Sequence, residues 1–239
     1  MANKISFNLT TGLLPWSQRN NEYSYTRGES VVNWTVMCNV TCIAGAFSEA
    51  GWILPKGQYS QPEDNLGKFI IESKNVDDFY REHYPVLWND WRDGKKDAYT
   101  PLEIHKILAF GVNEWLGCQK ADTFYENLSI KDFVKQLYYN KVTIPVSGKF
   151  GTLNHIVRLV GFEYSYESLG FADAAVVTEQ QVFEKLDSML KSQNFIQPTN
   201  FIYDDPWGTF DFNTLKYADK TKCGNDNIMT YKQFIDTLK

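Results

Sequence analysis

Nucleophilic and proton-transfer chemistry is open to few residues of this chain. It holds four cysteines (Cys38, Cys42, Cys118, Cys223) and three histidines (His83, His105, His155) in 239 residues. Cys38 stands where a helix is predicted to start, after a polar, turn-rich stretch. A thiol at a helix N-terminus feels the positive end of the dipole, which favours the thiolate, the form that attacks a carbonyl carbon. The alternative is a small buried hydrophobe, the usual fate of a free cysteine. His155 opens an apolar strand, where a fixed backbone can project the ring into a groove; a satisfied core or surface imidazole is the alternative. Asp205 closes a later strand directly before Pro206, and a proline holds the preceding residue extended. Asp-Pro is also a common turn opener.

Together these three types can carry acyl transfer. A base beside the sulfur keeps it ionised and later protonates the leaving amine, while a third group orients the imidazole. The oxyanion that forms needs donors, and the Gln18 side chain with the Cys38 backbone N–H could supply them. Cys42 offers a rival thiol one helical turn further on; its place within the helix predicts burial. Asp204 competes with Asp205. His105, inside an amphipathic helix, and His83, near a loop, are expected to be structural or solvated.

The elements that must position these residues can be read from periodicity. Small and apolar residues from about Asn39 to Ala50 predict a buried helix stopped by Gly51. Helical periodicity recurs over 66–82 and 101–116, the latter with Thr100-Pro101 as N-cap and first residue. Further helices are predicted from Ser129 to about Tyr139 and over 179–191. Residues 142–146, 155–162 and 201–205 read as strands, with Pro145 marking an edge or an end. Residues 1–30 read as irregular and polar. Helices followed by strands predict an α+β fold with a mainly antiparallel sheet.

Composition narrows the classes. The net charge is −5, and the short pairs Lys95-Lys96 and Lys220/Lys222 make no basic stripe, so neither nucleic acid nor an anionic membrane is an expected partner. No run approaches the roughly 18 apolar residues of a spanning helix, and no membrane insertion is expected. The first residues lack a signal-peptide pattern, so synthesis in a cytoplasm is expected. Cys38 and Cys42 have no second ligand pair nearby, and Asp204, Asp205, Asp211 and Asp219 lack calcium-loop spacing. No metal and no cofactor is expected. Four glycosylation sequons, at Asn8, Asn33, Asn39 and Asn127, fit a bacterial or viral origin better than a eukaryotic secretory one.

The order of cysteine, histidine and acid is that of a papain-like site, and local motifs sharpen it. Gln18-Arg19-Asn20-Asn21 followed by Cys38-Asn39-Val40-Thr41 resembles the opening of the bacteriocin-leader-processing cysteine peptidases. A bacterial and phage branch of that family shows Gln-Arg-Asp-Asn and Cys-Asn-Val-Thr-Ser. Asn154-His155-Ile156-Val157 resembles the family's Gly-His before an apolar strand, and Asp204-Asp205-Pro206-Trp207-Gly208 its Asn-Asp-Pro-Tyr-Gly. Departures are Asn154 for Gly, Cys42 for Ser, Asn20 for Asp, and a long spacer between Gln18 and Cys38.

The resemblance implies one papain-like catalytic domain over 1–239, with insertions at about 52–100 and 163–198 that shape the substrate groove. It implies Cys38 as nucleophile, His155 as general base and acid, Asp205 as its orienting acid and Gln18 as oxyanion donor. Trp207, Asn154 and Asn39 are the expected substrate contacts, and Trp52, Trp88 and Trp91 are further candidates to line a groove. The implied substrate is an amide bond in peptidoglycan, cut by a phage endolysin or wall enzyme released through a holin or carried in a virion. The alternatives are a peptidase for a polypeptide and an inactive structural module of a virion.

Overall fold

Helical periodicity dominates the first half of the chain and strand patterns the second, and the structure follows that division. The computed structural model describes residues 4–13, 16–32, 37–95, 101–118, 128–151, 153–172, 176–219 and 224–238, without the side chains of 101–107, 153, 218 and 219. Asn33, Lys96, Thr100, Asn127, Lys220, Lys222 and Cys223 lie outside the described residues, as do the side chains of His105 and Asp219.

The first elements are β1 (Lys4–Asn8), a 3-10 turn (Gln18–Asn20) and the hairpin β2 (Tyr25–Arg27) and β3 (Ser30–Val32). Helices α1 (Cys38–Glu49), α2 (Pro62–Glu72), α3 (Lys74–His83), α4 (Pro85–Arg92), α5 (Pro101–Leu116) and α6 (Ile130–Lys135) follow. A π turn carries α6 on to Asn140. Then come β4 (Ile144–Phe150), β5 (Leu153–Ser165), α7 (Glu179–Lys191) and β6 (Asn200–Asp205). The chain closes with the hairpin β7 (Thr209–Asp211) and β8 (Lys216–Asp219), then β9 (Gly224–Thr230) and α8 (Tyr231–Thr237).

The architecture is α+β, with an antiparallel sheet ordered β1-β5-β6-β9. The 13-residue β5 is its spine: β4 pairs with its first half, β1 with its second, and β6 runs along its other side. Pro145 lies on β4, whose ladder is with β5 alone among the described strands, as its missing N–H predicts.

Two expectations are corrected. Residues 1–30 are not irregular throughout, because Lys4–Asn8 pairs with Gly161–Ser165. The helix expected over 66–82 is two helices, broken where Ser73 turns extended at φ −68, ψ 123.

Burial falls into two clusters. One packs α6, α7 and α8 on the sheet through Phe133, Leu137, Leu159, Phe162, Leu186, Phe201 and Phe234. The other is helical and joins Val40 and Ala44 of α1 to Leu66, Ile70, Val76, Tyr80, Trp88 and Val112. Much of it comes from the segment expected to be a substrate-shaping insertion. Trp88 is 2% exposed, and Trp91 stacks on it at 5.1 Å. Trp88 is core rather than groove, because a ring of this size contributes most when removed from water, and Trp91 is half-buried against it. α1 bridges the clusters and stops where Gly51 takes φ +85.

The start of α2 fixes the strand of chain that carries Gln18. Asp64, wholly buried, accepts the backbone N–H groups of Glu22 (2.7 Å) and Tyr23 (3.1 Å). Burial pushes the neighbouring Glu63 carboxyl up to about 7 despite its own backbone N–H, and the Asp64 charge adds to the rise. A raised carboxyl favours the folded state when protonated. Its contribution is complete below the ordinary value of about 4.5 and is lost as pH rises through about 7. Urea unfolding should therefore show stability falling by up to about 3 kcal/mol over that window. In Glu63→Gln the fall should shrink by the Glu63 share, leaving what Glu49 and Asp204 contribute; an unchanged fall would contradict this assignment.

Candidate active site

Cys38 is the first residue of α1 and is half-buried. Its N–H belongs to the first turn, where a helix offers no acceptor of its own. The Asn39 carboxamide folds back to accept the Val40 N–H at 2.7 Å. Cys42, a turn later, is 2% exposed, and its Sγ lies 3.5 Å from the Ile156 carbonyl oxygen. Burial drives its thiol well above the ordinary range. The two thiols therefore differ as predicted: Cys38 lies at an accessible helix end and Cys42 faces the sheet.

His155 lies near the start of β5 and is 7% exposed, its ring edge-on to Phe150 and Tyr217. Its Nε2 donates to Asp205 Oδ1 at 2.8 Å, and the Cys38 side chain lies near enough to act on the ring electrostatically. With Nε2 committed to the carboxylate, Nδ1 is the nitrogen left for the sulfur. Burial opposes charge on the ring, yet the Asp205 carboxylate and the Cys38 sulfur together raise it to about 10. The imidazole thus keeps both protons at neutral pH, with one of them beside Cys38.

Asp205 is completely buried at the end of β6. Besides His155, its Oδ1 accepts the N–H groups of Trp207 (2.8 Å) and Gly208 (3.3 Å), and its Oδ2 accepts the Tyr217 hydroxyl at 3.2 Å. The two readings of Asp-Pro are both realised: the carboxylate that orients the imidazole also closes the Asp205–Gly208 turn. Asp204 is turned elsewhere, bonded by Arg158 Nη2 at 2.7 Å and by the Asp226 N–H at 2.9 Å. It does not compete.

Gln18 is buried on the 3-10 turn, and its backbone N–H donates to the Pro206 carbonyl at 3.1 Å. Three residues on, Asn21 Nδ2 donates to Thr41 Oγ1 at 3.2 Å in the first turn of α1. The turn is thus tied both to the segment after Asp205 and to the helix of Cys38. Trp207 is half-buried, with the Arg19 guanidinium 4.6 Å above its ring and Arg19 Nε bonded to its carbonyl. Asn154 is exposed directly before His155, opposite Lys149 of β4.

Sequence reasoning missed Tyr217. It arrives on β8, donates to Asp205 and lays its ring 6.2 Å from that of His155 and 6.5 Å from that of Trp207. Burial and the adjacent Asp205 charge raise its phenol, which stays a donor. Tyr217→Phe should lower unfolding stability by about 1–2 kcal/mol, the worth of a hydrogen bond to a charged acceptor, and change Cys38 alkylation at pH 6 less than about threefold. Tyr217→Ala, which lets water reach the pair, should slow that alkylation further. Equal alkylation in wild type and both variants would remove Tyr217 from the site.

His83 stacks on Phe79 at 4.2 Å, far from this chemistry in the fold, and its Nδ1 contacts the Phe79 carbonyl. Among the described residues, no three His, Cys, Asp or Glu side chains gather as metal ligands, and no helix is long and apolar enough to cross a membrane. Comparison with protein-family models, with curated proteins and with solved structures finds no match.

Proposed function

We propose that this chain is a cysteine-type amide hydrolase of papain-like architecture. The observation that carries the reading is the convergence of Cys38, His155 and Asp205 from three elements far apart in sequence, with His155 bonded to Asp205 and the Cys38 sulfur near enough to raise the ring. In this reading the Cys38 thiolate attacks the scissile carbonyl carbon. The Cys38 N–H and the Gln18 carboxamide stabilise the oxyanion. As that intermediate collapses, the C–N bond breaks and the imidazolium gives its proton to the departing amine. A water, deprotonated by the now neutral His155, then opens the thioester, and the proton returns to the thiolate–imidazole pair as the acid leaves.

For the substrate we propose the peptide part of peptidoglycan. Support comes from the resemblance of the Cys38 and His155 motifs to the bacterial and phage branch, in which wall-lytic enzymes occur. Release through a holin or carriage in a virion belongs to the same proposal. Mass spectrometry of fragments released from purified cell walls tests it, with Cys38→Ala as control. New amino termini within stem or bridge peptides are expected. Intact walls together with cleavage of a peptide library would instead identify a polypeptide peptidase.

A further inference from the structure

Three ionisable groups lie beside the site and take no part in its chemistry, Arg158 and Asp204 buried and Glu49 half-buried. Arg158 is 2% exposed; its Nη2 donates to Asp204 Oδ2 at 2.7 Å and forms an ion pair with Glu49 Oε1 at 2.8 Å. Glu49 Oε2 accepts the Thr143 hydroxyl at 3.0 Å. Burial raises both the Asp204 and the Glu49 carboxyls, against the pull of Arg158.

As a stabilising device this is poor. Removing three charges from water costs several kcal/mol each, and good geometry is needed to recover it. Here two acids share one nitrogen, while Nε and Nη1 of Arg158 have no hydrogen-bond partner among the described residues. The helix has also made room for the guanidinium: a Cβ at Gly45 would stand 1.9 Å from Nη1.

What the cluster does achieve is a connection between the three elements of the site. Glu49 is the last residue of the helix that begins with Cys38. Arg158 is three residues beyond His155 on β5, and Asp204 is its cross-strand partner, next to Asp205 on β6. We infer that Arg158 is a positioning residue, a clamp that fixes the placement of the Cys38 helix against the strands of His155 and Asp205 and so holds the sulfur on the imidazole. This inference rests on the catalytic reading of Cys38 and His155.

The clamp can be separated from a plain electric effect by sign. Removing a negative charge, as in Glu49→Gln, would by field alone make the His155 imidazolium easier to deprotonate; removing a positive one, as in Arg158→Met, would make it harder. A displaced helix lowers the His155 titration point in both, because the sulfur's contribution is lost. With three histidines in the chain, NMR titration of the full-length protein can follow each, and His155→Gln identifies the signal. We expect wild type near the raised value and both variants lower by about one pH unit or more. If Arg158→Met does not fold, Arg158→Lys replaces it, since the shorter lysine cannot bring its ammonium to the place where Nη2 meets both acids and should give the same downward move. Opposite shifts in Glu49→Gln and Arg158→Met, or variants that titrate with wild type, overturn the clamp. A wild-type His155 that titrates near its ordinary 6.5 overturns the catalytic reading and the clamp with it.

Discussion

Cys38→Ala is expected to lower amide hydrolysis by at least about a thousandfold, because no other group can form the thioester. The fold should survive: Cys38 is half-buried at a helix start, and its loss leaves no large cavity, so unfolding free energy should change by about 1 kcal/mol or less. Circular dichroism and urea unfolding check that half of the expectation; fragment release from walls checks the other. Cys42→Ser is the counterpart. The Cys42 thiol faces the Ile156 carbonyl in the interior, where a hydroxyl of similar size can donate the same bond. Most activity should remain. An active Cys38→Ala with a dead Cys42→Ser would move the nucleophile one turn down the helix.

His155→Ala should be comparably damaging in turnover, with a different signature. Removing the imidazole takes away both the positive partner of the sulfur and the acid for the leaving amine. Alkylation of Cys38 by iodoacetamide at pH 6 should fall by about a hundredfold, as a thiol with the ordinary value of about 8.5 is little ionised there. At pH 9 the rate should be close to that of wild type. Asp205→Asn keeps an oxygen for the His155, Trp207 and Gly208 donors, removes the charge and replaces the oxygen that accepts the Tyr217 hydroxyl by an amide nitrogen. Its loss of turnover should be nearer tenfold, since the acid orients the base and does not take its proton. A larger effect from Asp205→Asn than from His155→Ala would contradict this division of roles.

The places of Cys38 and Asp205 in the fold were legible in the sequence because punctuation marks them. Gly51 ends the helix that Cys38 begins, and Pro206 ends the strand that Asp205 closes. Scarcity helped too, with three histidines to choose from. The supporting groups were not legible. Tyr217 lies on a four-residue strand whose partner has three, with a bulge between them, too short for an alternation to register. Arg158, read alone, is a charge in a strand, and only the fold reveals two acids beside it. β1 was missed although Lys4-Ile5-Ser6-Phe7-Asn8 alternates polar and apolar, because the run is only five residues and its partner, Gly161–Ser165, lies far along the chain. Trp88 and Trp91 looked like groove rings because composition cannot tell a buried aromatic from an exposed one. Their ring contacts, Trp91 stacked on Tyr25 and Trp88 edge-on to Tyr80, are a tertiary outcome.

Catalysis here requires that His155 activate the sulfur of Cys38. The direct measurement is the second-order rate of iodoacetamide addition at Cys38 at pH 6, located by peptide mapping, in wild type and in His155→Ala, with the half-exposed Cys118 followed as an internal comparison. We predict that Cys38 outpaces Cys118 at least about tenfold in wild type and loses that lead in His155→Ala. Equal rates at the two cysteines in wild type, or a lead that survives in His155→Ala, would contradict that activation.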